Sequence, residues 1–194
     1  MHSPLEGSQS RPPRTLPAFL NVRRIMLPIE NACCFTGHRP KYFHFGTNEQ
    51  HPDCLRIRAF LREQCKYLIG EGVTHFISGG AIGVDTWAIE EVIALRENHP
   101  HIILWCVLPY AGMVERFAPQ DRERYERLSS HLQMVTVLNE YYHHGCMQQR
   151  NMFMVDRSLY TIAVWTGKKS GTANTVNYAN QRGRKVFLYN VTGK

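Results

Sequence analysis

Short runs of consecutive apolar, β-branched and aromatic residues recur along the chain, and between each pair lies a longer stretch whose apolar positions have helical spacing. The runs are "ACCFTG" (32–37), "THFISGG" (74–80), "IILWCVLP" (102–109), "QMVTVLN" (133–139), "LYTIAVWTG" (159–167) and "KVFLYNV" (185–191). The stretches between them predict helices over 53–70, 84–97, 119–131, 146–157 and 171–183, the last closed by Gly183 as helices commonly are. Strands that are apolar without alternation are buried on both faces, and strands that alternate with helices form parallel sheets. With right-handed crossovers this predicts an α/β fold: a Rossmann-like open, mainly parallel sheet with helices on both faces, which takes its ligands at the carboxyl ends of the strands.

Composition narrows the choice further. A chain of 194 residues with 43% hydrophobic content suits one domain with one substantial core. Residues 1–25 are rich in Ser, Pro and Arg and lack periodicity, so they are expected to be a flexible basic extension, with 26–194 as the folded domain. The extension carries much of the net charge of +7: Arg11, Arg14, Arg23 and Arg24 against Glu6 leave the remainder at +4. That excess suits an anionic ligand but lacks the dense Lys/Arg stripe of a protein bound through many phosphates, so a nucleic-acid partner is open but not favoured.

Six cysteines lie scattered without a CxxC pair, several in apolar runs, which suits free thiols in a reducing, cytoplasmic setting. The pair His143-His144 is not accompanied by zinc-type spacing, so no metal site is expected. No apolar run approaches the roughly 18 residues of a membrane span, and "LPAFLNV" (16–22) is too short for a signal peptide.

The polar and glycine-rich clusters all fall at predicted carboxyl ends of strands. In "FISGGAIGVDTWAIEEVI" (76–93), Gly79, Gly80 and Gly83 lie between a strand and a helix, where glycines permit close backbone approach and a helix N-terminus attracts anions. The plainer reading is a tight turn with Asp85 capping the helix. A second cluster, "GKKSGTANT" (167–175), repeats the arrangement with Gly171, Thr172 and Asn174, and the two turns together could flank one nucleotide-like ligand.

Other candidates surround them. In "TGHRP" (36–40), Gly37 closes a strand and Arg39 follows it, either as a two-pronged clamp on phosphate or as a surface charge. Arg150 could reach a phosphate from the start of a helix that also carries Asn151, while Met152, Met154 and Val155 are expected in the core and Asp156 and Arg157 in local ion pairs. Tyr110, after "LP", is a candidate for stacking on a base. Glu90 follows Asp85 by five residues, about 140° around a helix, so the two would not share a face if both were mid-helix and a paired-carboxylate mechanism has weak support. Alone, Glu90 reads as a general acid/base, a ribose acceptor or a solvated helix charge.

A dinucleotide fingerprint would need GxGxxG in the first βα turn and an acid about 20 residues on, and neither is present; nor is a Walker loop. Instead "TGHR", "SGGAIGVDTWAIEEV", "LPYAGMVERFAPQDRERYERL", "QQRNMFMVDRS" and "VWTGKKSGTANTVNYA", in order, resemble the SLOG superfamily, which groups DprA/Smf proteins with the cytokinin-activating LOG hydrolases, and specifically its YpsA-like branch. The resemblance runs from about Cys33 to the C-terminus. It implies a nucleotide-type ligand held by Gly79, Gly80, Gly83, Asp85, Glu90, Gly171 and Thr172, with Arg39, Arg150 and Asn151 completing the pocket and no cofactor required.

Two departures accompany it: Leu159 stands where relatives usually carry an acid, and the PGGxGTxxE signature of the LOG enzymes is missing. "GGAIGVD" is closer to the DprA loop. Three readings follow: a nucleotide sensor or ligand-binding protein, which is favoured; a LOG-like phosphoribohydrolase, a nucleotide N-glycosidase using Glu90; and a DprA-like binder of single-stranded DNA. The relatives also imply a homo-oligomer.

Overall fold

The computed structural model describes residues 29–191, and the predicted extension over 1–25 lies outside the described residues. Six strands and five α-helices alternate in the expected order. They are β1 (Ala32–Gly37), α1 (Pro52–Gly70), β2 (His75–Ser78), α2 (Val84–Arg96), β3 (Ile103–Leu108), α3 (Pro119–Ser129), β4 (Met134–Val137), α4 (Cys146–Asp156), β5 (Tyr160–Trp165), α5 (Gly171–Gln181) and β6 (Lys185–Asn190).

The boundaries follow local chemistry. Helix α1 opens with Pro52 at its first position, where a missing N–H costs nothing, and the His51 ring nitrogen accepts from the Asp53 amide at 3.1 Å. Its buried residues, Cys54, Ile57, Leu61, Cys65 and Leu68, recur at three- and four-residue intervals and form one face. Arg182 ends α5 and Gly183, with φ of +66°, turns the chain toward β6.

All strand pairings are parallel, in the order β4-β3-β2-β1-β5-β6. The cores on the two faces explain why the inner strands lack polar alternation. On one face Cys33, Phe35, Phe76, Leu104 and Ile162 pack against α1 and α2 residues such as Ile57, Leu61, Trp87 and Val92. On the other, Cys34, Ile77, Trp105 and Val107 meet Met154 and Val155 of α4 and Ala179 of α5. Met152, expected in this core, is instead 37% exposed, because only the Met154 and Val155 side of α4 faces the sheet. All six cysteines are buried and free.

The order of strands fixes where a ligand can enter. The chain winds outward from β1 through β2 and β3 to β4, then returns through α4 to lay β5 on the opposite side of β1, with Gly37 paired to Val164 at the carboxyl end. Turns that leave β1 and β5 in opposite directions open a crevice between them, the switch point of an open α/β sheet.

Candidate functional site

That crevice is present, with a cavity of about 260 Å³ lined by Thr36, Gly37, His38, Arg39 and Tyr42 after β1 and by Lys169, Ser170, Gly171 and Thr172 at the start of α5. Ala81 and Asp85 enter from the β2–α2 turn, and Met147, Arg150 and Asn151 from α4. The His38 imidazole and the Thr166 hydroxyl, 3.0 Å apart, tie the two opposing turns together. Asn151 donates to the Thr175 hydroxyl at 2.9 Å and so fixes α4 against α5.

Helix α5 is built to leave donors free. Ser170 caps it, its hydroxyl accepting from the Ala173 amide at 3.2 Å, while the amides of Gly171 and Thr172 belong to the first turn, where no intrahelical carbonyl is available. The positive end of the helix dipole adds to them. Beside this stands Arg150, 6% exposed, whose Nη1 donates to the Gly79 carbonyl and lies 3.6 Å from Asp85 Oδ2. Its Nε is buried and finds no hydrogen-bond partner among the described residues. Burial pushes the Arg150 guanidinium down from its ordinary pKa and the Asp85 carboxyl up, as each pays for leaving water.

The glycine-rich β2–α2 turn has a different role from the expected one. None of Gly79, Gly80 and Gly83 lines the crevice. A Cβ on Gly79 would fall 1.5 Å from Arg150 Nη1, and one on Gly83, where φ is +99°, would fall 2.8 Å from the His38 carbonyl. Gly80 backs onto Cys106. These glycines let the turn pack against Arg150, the β1 turn and β3. The anion position at this turn is already filled, since Asp85 Oδ2 accepts from the Ala81 amide at 3.3 Å.

Glu90 also stands apart from the lining. It does not line the crevice but accepts from Arg58 and twice from Arg124, within a network that also holds Glu49 and the nearly inaccessible Glu91. The carboxylate that the crevice does contain is Asp85, on the opposite side of α2. Tyr110 is 4% exposed, packs edge-on against Tyr142 and lies under Arg116, away from the crevice. Asn174 is on α5 but exposed outside the lining. Gly37, Arg39, Asp85, Arg150, Asn151, Gly171 and Thr172 are brought together.

Sequence reasoning missed His38, Tyr42 and Lys169. For His38 and Lys169 the signal was available, as they adjoin Arg39 and Ser170 in clusters already singled out. Tyr42 has no such signal: it is carried to the rim by a single 3-10 turn over Pro40–Tyr42 and packs on His38 at 5.4 Å.

Outside the crevice His44, His51 and Asp53 also converge. Asp53 is already paired with Arg56, and the His51 Nδ1 serves the α1 cap, so the group reads as a helix N-terminus in a polar setting. No helix among the described residues is long and apolar enough to cross a membrane.

A parallel six-stranded sheet with its crevice at the β1/β5 reversal defines a Rossmann-like α/β protein. More particularly, the chain belongs to the YspA SLOG family, whose model matches residues 33–191. It is 31% identical over 152 residues to the uncharacterized SPbeta prophage-derived protein YoqJ of Bacillus subtilis, covering 72% of this chain and 86% of that one. A UPF0398 protein of Staphylococcus epidermidis is 24% identical over 123 residues, 62% of this chain, and the match spans 65% of that relative's length.

Among solved structures, DNA processing protein A from Streptococcus pneumoniae superposes with a TM-score of 0.55 at 20% identity, covering 81% of this chain and 49% of that one. The Helicobacter pylori counterpart, described for its single-stranded DNA binding mode, gives 0.52 at 19%, covering 82% and 65%. At these identities the likeness is one of fold.

Proposed function

We propose that the crevice between the β1 and β5 turns binds a phosphate-bearing, nucleotide-derived small molecule, and that the protein acts as a sensor or ligand-binding protein. The observation that carries this reading is the partnerless, buried Nε of Arg150 beside the first turn of α5. A buried donor without an acceptor costs about 1–3 kcal/mol, and a ligand oxygen would recover it. Helix amides, a guanidinium, Arg39 and Lys169 together favour a phosphate, while Tyr42 offers a ring to a base at the rim.

The test is calorimetry and thermal denaturation with a panel of nucleotides and inorganic phosphate. A ligand bound at 100 times its Kd stabilises the folded state by about 2.7 kcal/mol, which raises the melting temperature by several degrees. Arg150→Lys keeps a positive charge but loses the planar fork, and should lower affinity at least tenfold. A panel that leaves the wild-type transition unmoved overturns the reading.

A second reading, single-stranded DNA, draws on the exposed lining cations Arg39 and Lys169, on Lys41 and Lys168, which are exposed and close to them in sequence, and on the DNA-binding description of the Helicobacter pylori neighbour. It predicts that a labelled oligothymidylate binds with a steep salt dependence and that Lys168→Ala with Lys169→Ala reduces that slope. Mononucleotide binding with no oligonucleotide binding rejects it.

A further inference from the structure

The sheet ends differently on its two sides. At one end β4 has four residues, and the exposed positions of α3, which leads into it, include Glu123, Glu126 and Arg127. Short strands and nearby charges keep sheet edges from pairing with other chains. At the other end β6 has six residues, with one charge, Lys185, and neither proline nor glycine. Among the described residues its partner is β5 alone, so one row of its backbone groups faces outward. Lys185 and Val191 donate to the β5 side, to the carbonyls of Leu159 and Trp165. Alternation along the strand then turns the amides of Val186, Leu188 and Asn190 outward.

The layers beside β6 share this character. Every exposed residue of α5 is uncharged: Gly171, Asn174, Asn177, Asn180 and Gln181. On the α1 side the Tyr67 ring, 53% exposed, lies 5.9 Å from Phe187, and Phe60 lies 5.1 Å from Tyr189. On the strand itself Leu188 is 43% exposed. Apolar and aromatic groups with few charges are the composition of an interface centre.

The same residues state what fits there. The cations near β6 are gathered in the turn that leads into it, Arg182, Arg184 and Lys185, and Arg182 is paired with Asp156. A second copy laid parallel would bring two such turns together. Laid antiparallel about a two-fold axis through Leu188, it matches Leu188 with Leu188, Val186 with Asn190 and Phe187 with Tyr189. This is the one register in which the three outward amides meet their own counterparts. It also holds the two Lys185 side chains about 20 Å apart, beyond the ~8 Å over which exposed charges interact at physiological salt. The axis closes the assembly at two copies, whereas pairing β6 with the β4 edge of another copy would continue as a filament.

We propose that two copies of the protein pair through β6 with Leu188 on the axis, joining their six-stranded sheets into one continuous sheet. A strand about 20 Å long with a helix about 10 Å thick on each face presents on the order of 500 Å², at the small end of specific interfaces, so the dimer dissociates on dilution. No residue of β6 lines the crevice, so the pairing stands whether or not a ligand binds there.

The experiment is sedimentation of the full chain from about 1 to about 100 µM, with amide hydrogen exchange at both ends of that range. The wild type should pass from monomer to dimer, and the amides of Val186, Leu188 and Asn190 should gain protection as it does. Leu188→Lys sets two cations face to face on the axis and should weaken the dimer at least about thirtyfold. Because Leu188 is already exposed in the single chain, the variant should keep the wild-type circular dichroism. A wild type that stays monomeric at the highest concentration overturns the proposal, and so does a dimer that Leu188→Lys leaves intact. Outward β6 amides equally protected in the dilute monomer overturn it as well, since the edge would then be covered from within one chain.

Discussion

Arg124 grips Glu90 with two nitrogens, Nε to Oε1 at 2.7 Å and Nη2 to Oε2 at 2.8 Å, and the same guanidinium reaches both oxygens of Glu49. The contact joins α2 to α3 and to the segment after β1, and it holds the Arg124 pKa above its ordinary value through these carboxylates despite the opposing cost of burial. Both partners are only 21% exposed. Glu90→Ala should therefore cost about 1–2 kcal/mol of stability, more than a surface pair, while leaving ligand affinity within twofold of the wild type. Urea denaturation measures the first quantity and calorimetry the second; a selective loss of binding would return Glu90 to the ligand site.

Gly79 and Gly171 make a matched comparison. Alanine at 79 would have to displace Arg150 and crowd Asp85, so Gly79→Ala should lose about 2–4 kcal/mol and blunt ligand binding. Alanine at 171 meets nothing within 4 Å and needs no unusual backbone angle, and reduced freedom of the unfolded chain should make it neutral or stabilising by up to about 1 kcal/mol. The two melting temperatures, measured side by side, check both statements.

His38 and His75 impose a pH dependence. Burial lowers the pKa of each ring below the ordinary value of 6.5, so the folded state binds fewer protons than the unfolded one just below that pH. Stability should be full above pH 6.5 and fall as the pH drops toward the lowered folded values. Asp85, whose pKa is raised from 3.8, acts with the opposite sign: its contribution is fully present below 3.8 and is lost as pH rises through the folded value. Urea midpoints between pH 7.5 and 5.5 should decline, and His38→Asn should decline less steeply.

Tyr42 separates the base from the phosphate. Its ring lines the crevice yet is 57% exposed. Stacking on an aromatic ring is worth about 1–3 kcal/mol per base, so Tyr42→Ala should weaken a nucleotide roughly 5- to 150-fold and leave inorganic phosphate unaffected. Equal loss for both ligands would mean that Tyr42 shapes the turn rather than meeting the base.

The layered fold was legible because burial on both faces writes itself into every inner strand: Cys33 and Cys34 are both inaccessible though they point to opposite sides of the sheet. The location of the crevice was legible only in part. Arg39, Arg150 and the α5 turn were readable from their place after strands, but the β2–α2 glycines read either as an anion turn or as a tight connection, and their packing, Gly79 on Arg150, Gly80 on Cys106 and Gly83 on His38, involves residues remote in sequence. Local sequence does not state that β5 lies beside β1; the two turns that were paired do both reach the crevice, the β2–α2 turn through Ala81 and Asp85 and the α5 turn through Gly171 and Thr172. Glu90 and Asp85 were told apart by helical rotation, yet which of them faced the crevice depended on Arg58 and Arg124, from two other helices.

The neighbouring positions Cys34 and Thr161 on β1 and β5 are 127 residues apart in sequence. β5 is therefore made only after the three strands on the other side of β1, and contacts of such separation form slowly. A ligand bridging the two turns would then act as a stitch between the early and late parts of the chain.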